Sequence, residues 1–151
     1  MRADLTFDIH YGYWFNLACE RFYKHIDVVL NFVQLVGGSS AALAALNGSQ
    51  TWVVAAGLSL AVCAALSLLI QPSVKAEQHL QAKCRWLALK PKSLVLADTE
   101  LAALVAEAQA SGPAGIGALA VPAFNLTVCA TGREDRKRPE RLFEKLASAL
   151  A

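Results

Sequence analysis

Hydrophobic and polar positions alternate very differently along different parts of this chain. From Val28 to Val74 there is no Asp, Glu, Lys, Arg or His. A helix needs about 20 apolar residues to cross the hydrocarbon core of a bilayer, so this run holds two crossings and a short turn. The pattern predicts the first over Ile26 to Leu46 and the second over Trp52 to Ile70. Asn47, Gly48, Ser49, Gln50 and Thr51 are turn formers and fill the gap between them. Trp52 suits one membrane boundary, and Gln71-Pro72 closes the other.

The flanks carry helical rhythm with more polar content. Before the run, Trp14, Leu17, Ala18 and Arg21 recur at spacings of three and four, predicting a helix from about Tyr13. Phe7, Tyr11, Tyr13, Trp14, Phe15, Phe22 and Tyr23 form an aromatic cluster there. Two placements fit these rings: along the membrane surface, or packed on the protein's own cytosolic part. After Pro72 a polar helix is predicted over Ser73 to Leu89, with Leu80, Cys84, Leu87 and Trp86 as its apolar side and Pro91 as its stop. Asp98 or Thr99 caps a further helix reaching Ala110, with Leu101, Leu104 and Val105 on one face. Residues 111–117 are a Gly-rich break. The following stretch, ALAVPAFNLTVCATG, is interrupted by Pro122 and too short to cross, so it is expected to pack on the cytosolic helices. In the tail, Pro139 suits a first helical turn, and Leu142, Phe143, Leu146 and Leu150 make a stripe beside Arg141 and Lys145. That helix reads either as lying on a membrane surface or as docked on protein.

The expected fold class is therefore all-α: a transmembrane helical hairpin of two membrane-spanning helices, with cytosolic helices on both sides. Residues 1–25 form an N-terminal aromatic segment, 26–71 the hairpin and 72–151 a cytosolic helical region. Lys and Arg decide orientation. Arg21 and Lys24 precede the first crossing, Lys75, Lys83, Arg85, Lys90 and Lys92 follow the second, and the turn has none. The positive-inside rule puts both termini in the cytoplasm of a bacterial inner membrane.

Within the apolar run, Asp27, Asn31, Gln34 and Gly38 follow an i, i+4, i+7, i+11 rhythm and share one helical face. Unpaired amides in lipid are costly, so this face must meet protein or water. Three roles fit: hydrogen-bonded glue between helices, the lining of a pore, or a ligand site. Gly37, Ala41 and Ala45 in the first crossing, and Ala55, Ser59, Cys63 and Ser67 in the second, recur every four residues. Such small residues let two helices approach closely. The polar face is then left for another subunit or a pore, and a homo-oligomer in the lipid bilayer is expected.

Composition narrows the chemistry. The chain is 151 residues long, 56% hydrophobic and 17% charged. Its net charge of +2 implies no nucleic-acid partner. The aligned acids Asp4, Asp8 and Glu20 with Arg21 and Lys24 argue against a cleavable signal. Cys19, Cys63, Cys84 and Cys129 are isolated, which gives neither a zinc site nor a disulfide framework. His10, His25 and His79 lack ligand spacing, and no phosphate loop, GxSxG or HExxH occurs. No catalytic residue, metal or cofactor is expected; Cys129 reads as a buried, inert thiol. Asn125-Leu126-Thr127 matches a glycosylation acceptor, which a cytosolic position makes meaningless.

The lead-in ERFYKHIDVVLNF, the small-residue crossings, the helix SVKAEQHLQAKCRWLAL and the segment VPAFNLTVCATG together resemble the SLATT group of small bacterial and phage proteins. The resemblance spans about residues 15 to 132. It implies two transmembrane helices joined by a very short turn, with cytosolic helices on both sides. It further implies a membrane effector of defence that depolarises its host, often beside a nucleotide-signalling enzyme. This chain has no recognisable nucleotide-binding domain, and the resemblance supplies no catalytic residue. Two functions are expected on these grounds. One is an oligomeric protein that perturbs permeability, as a defence effector or phage-encoded pore. The other is a non-pore interaction protein, such as a superinfection-exclusion factor or an adaptor binding a cytosolic protein partner through residues 73–151.

Overall fold

The computed structural model describes residues 2–48 and 50–151, with Ala44 and Leu46 described by backbone alone; Ser49 of the expected turn lies outside the described residues. The fold is all-helical, with no strand among the described residues: α1 (Arg2–Leu46), α2 (Gln50–Ile70), α3 (Pro72–Lys92), α4 (Asp98–Ala110), α5 (Ala120–Ala130) and α6 (Leu142–Ala149). Short 3-10 turns cover Gly117–Leu119 and Glu134–Arg136. Two helices are long and apolar enough to cross a membrane, and no residue in the most apolar stretch of either is buried. The chain divides into two compact units, one of Met1–Phe22 with Lys75–Ala151 and the other of Tyr23–Val74.

In the first unit, the beginning of α1 runs antiparallel to α3. Helix begins at Arg2, well before the expected Tyr13, because tertiary contacts hold the first turns. The Arg2 guanidinium donates to the carbonyls of Ser93 and Leu96 and to Asp98, tying the α3–α4 turn to the start of α1. Ile9, Trp86, Leu89, Leu101 and Val105 form one core where α1, α3 and α4 meet, as the Leu101 and Val105 face of α4 predicts. Gly12 lies flat under the Trp86 indole, where a Cβ would strike the ring. A second core gathers Cys19, Leu119 and Ala147, with Phe15, Phe22, Ile116 and Ala151 around it. The N-terminal rings are thus packed on the unit's own helices: Phe7 meets Phe124 edge-on at 5.5 Å, and Lys90 sits 4.3 Å over Tyr13.

Several local expectations are corrected. The buried side of α3 is Ala76, His79, Ala82, Trp86 and Leu89, whereas Cys84 and Leu87 are exposed. Trp86 is buried as expected, and Ala76, His79 and Ala82 share its side because Gly12 lets α1 approach α3 closely. α3 continues to Lys92, past Pro91, whose carbonyl accepts from Leu94 in the next turn. The N-cap of α4 is Ala97 with no side-chain cap, and Asp98 pairs with Arg2 from inside the first turn. Pro122 does not interrupt α5: it sits in the first turn, where the backbone N–H has no helical acceptor to lose. Pro139 lies outside α6, whose first residue is Leu142 and whose Glu144 carboxylate accepts from the Arg141 N–H at 2.7 Å. Cys129 is exposed at the end of α5, and the buried thiol is Cys19.

In the second unit, α1 ends at Leu46 and Gly48 takes a left-handed φ of 69°, with its N–H reaching Ala45. Gln71, at φ 48°, is the non-glycine residue that takes the same region among the described residues, directly before Pro72 opens α3. A single left-handed residue costs about 1–2 kcal/mol, and it ends α2 abruptly.

Candidate functional site

The polar face of α1 in the second unit is the first candidate. Asn31 Nδ2 donates to Asp27 Oδ2 at 3.3 Å, the i, i+4 contact its spacing allows. Gln34 Nε2 donates to Ser67 Oγ at 3.3 Å, linking α1 to α2. Thus the four stripe positions separate. Gln34 is half-buried against α2, Asn31 is exposed, Asp27 is half-exposed, and a Cβ at Gly38 would meet open space. Gly37 faces α2: a Cβ there would stand 3.1 Å from Leu60 Cδ2 and 3.9 Å from Ser59 Oγ. Ala41, Cys63 and Ser67 are half-buried, while Ala45, Ala55 and Ser59 are exposed. Ser59 Oγ donates to the Ala56 carbonyl of its own helix. Around these positions Val28, Val29, Phe32, Leu35, Val54 and Leu58 point outward.

The first unit holds a buried polar ladder that the sequence reading missed. Asn16 Nδ2 donates to the Gly12 carbonyl at 2.8 Å, which leaves Oδ1 to accept from His79 Nδ1 at 2.8 Å. His79 is therefore not a lone residue. Crossing this contact, Lys83 Nζ reaches back one turn along α3 to donate to Glu20 Oε2 at 2.5 Å, with side chains only 18% and 5% exposed. Asn16/Glu20 and His79/Lys83 are i, i+4 pairs on two facing helices, a spacing visible in the sequence. Burial pushes the His79 pKa down, Lys75 adds to this, and the Ala114 backbone and Glu20 pull the other way. Burial also lowers His10, with Lys90 contributing, and lifts the Cys19 thiol to about 11. A thiol so protonated is a poor nucleophile.

A second feature of the first unit is a crevice of about 410 Å³ lined by Asp4, Phe7, Asp8, Phe124, Arg133, Arg136 and Arg138. Arg138 stacks 4.4 Å over Phe124, and Asp8 has its pKa raised by burial and by Asp4. Asn125 shapes the rim: it donates to the Arg138 carbonyl and Glu140 and accepts from the Arg138 N–H. Among the described residues no three His, Cys, Asp or Glu side chains gather as a metal site. The arrangement offers charge recognition and helix association. No family model, curated protein or solved structure matches the chain.

Proposed function

We propose that this chain is a homo-oligomeric protein of the bacterial inner membrane that perturbs membrane permeability. α1 beyond Ile26 and α2 form its transmembrane hairpin, with both termini in the cytoplasm. The observation that carries this reading is the surface of the second unit. Its long apolar helices bury no residue in their most apolar stretches, so they need lipid or further protein around them. On that oily surface Asn31 is exposed and Asp27 is half-exposed. A polar pair on such a helix is satisfied by facing another copy or water, and a ring of copies supplies both. Gln34 acts within the hairpin, as glue to Ser67. The resemblance to the SLATT group supports the same reading, whether as a defence effector or as a phage-encoded pore.

Induced expression is expected to collapse the membrane potential, read with a potential-sensitive dye. Replacing both Asn31 and Gln34 by Leu abolishes the collapse. A double variant that is inserted, abundant and equally depolarising rejects the pore mechanism.

A second reading is favoured by one observation. The first unit has its own cores and exposes Leu94 and Val95 on a turn anchored by Arg2. In this reading the chain is a membrane-anchored interaction protein, and its cytosolic part binds a protein partner. The potential then stays intact on expression, and Leu94→Ser with Val95→Ser abolishes function without affecting insertion.

A further inference from the structure

The tail helix α6 turns its apolar side away from the body that holds it. It is fixed through Ala147 and Ala151, which pack with Cys19, Leu119 and Phe22. Its bulky residues take no part in that contact: Leu142 is 81% exposed, Phe143 72% and Leu146 66%. Eight residues are too few for a helix to persist in water by itself, so the packed alanines and the Glu144 cap keep it formed. The sequence has thus placed a preformed helix with three large apolar side chains facing outward.

The charges around it select the occupant. Arg141 and Lys145 are exposed and flank the stripe at i, i+4. Of the nearby carboxylates, Glu140 accepts from Asn125, Glu144 from the Arg141 N–H, and Glu134 pairs with Lys137 at 3.5 Å. Asp135 and Arg136 are both exposed in the segment leading to the helix, so the cations beside the stripe itself, Arg141 and Lys145, carry the local charge. Apolar residues edged by cations fit an anionic lipid surface, where the stripe enters the acyl boundary and the cations meet phosphates. We propose that α6 is an in-plane membrane anchor, with Leu142, Phe143 and Leu146 inserted into an anionic leaflet and Arg141 and Lys145 on its headgroups. This rests on the membrane reading above.

The test uses full-length protein with Cys63, Cys84 and Cys129 replaced by Ser; buried Cys19 is retained. Three single-cysteine sites carry an environment-sensitive fluorophore: Leu146→Cys on the stripe, Lys145→Cys on the polar side, and Leu58→Cys on α2. Each is reconstituted in vesicles of equal parts phosphatidylcholine and phosphatidylglycerol, or of phosphatidylcholine alone, with a shallow nitroxide lipid as quencher for positions 145 and 146 and a deep one for position 58. The probe at 146 is expected to lose about half its emission in the anionic vesicles, less without phosphatidylglycerol, while the probe at 145 is spared. Quenching at 58 but not at 146 overturns the anchor and leaves the membrane reading intact. Failure at both positions overturns both. A blue-shifted but unquenched probe at 146 means that a second copy covers the stripe, which also overturns the anchor. Phe143→Cys repeats the measurement on a second stripe position.

Discussion

α2 and α3 are each 21 residues long. α2 is built mostly of Ala, Leu, Val and Ser, yet none of its described residues is buried. α3 carries four Lys, two Gln and one Arg, yet it buries a full side made of Ala76, His79, Ala82, Trp86 and Leu89. Hydrophobicity and burial run in opposite directions in these two helices. In the first unit the contacts that stabilise α3 are supplied by the chain itself. In the second, the Gln34–Ser67 bond and the Gly37 contact join α1 to α2, yet no described residue of α2 is buried, so further cover must come from the surroundings.

The largest break in that contrast is Trp86→Ala, which should destabilise the first unit by about 3–5 kcal/mol. Leu58→Ala on α2 should shift the same measurement by no more than about 0.5 kcal/mol. Cys19 provides the readout, since a fully buried thiol reacts with a disulfide reagent only when its unit opens. Lys83→Met should cost up to about 3 kcal/mol by removing the ammonium paired with the buried Glu20 carboxylate, and Glu20→Leu in the same chain should restore most of it. A double variant no more stable than the single one means that the pair is not the source of the loss.

The next effect depends on pH. The folded pKa of His79 lies below its unfolded value because burial disfavours the imidazolium. Its stabilising contribution is therefore complete above about pH 6.5 and is lost as pH falls through the folded pKa. His10 shifts in the same direction and adds to the trend. The unfolding free energy of the first unit should fall between pH 7.5 and 5.5, by at most about 1.4 kcal/mol per pH unit for each proton, and its melting temperature should fall with it. His79→Gln should flatten that slope, and an unchanged slope would assign it to other groups. The smallest effect is Gln34→Leu, about 0.6 kcal/mol on the thermal unfolding of the second unit. A loss beyond about 2 kcal/mol would mean that Gln34 has partners besides Ser67.

Element existence was legible in the sequence because long charge-free and amphipathic runs leave the backbone few alternatives. The two apolar helices, the Gly-rich break and the α4 core face all follow from such runs. Which face of α3 is inward was not legible. Local periodicity favours Leu87 and Cys84, but the deciding factor is the fit of Trp86 over Gly12, a contact 74 residues away in sequence. The helical N-terminus escaped notice for a related reason, since Arg2 is held by carbonyls that exist only once α3 turns into α4. Of the candidate face, the Asp27–Asn31 pair follows from spacing alone. The Gln34–Ser67 bond needs the register of two helices, which no single helix encodes.

The connection between α1 and α2 occupies only residues 47–49. If the two helices cross a bilayer, that link is all these 151 residues expose on the far side. It has no pocket-sized loop, no charge and nothing broad enough for an extracellular molecule to grasp. On that arrangement, almost all of the surface open to a regulator lies on the side that holds both ends of these 151 residues.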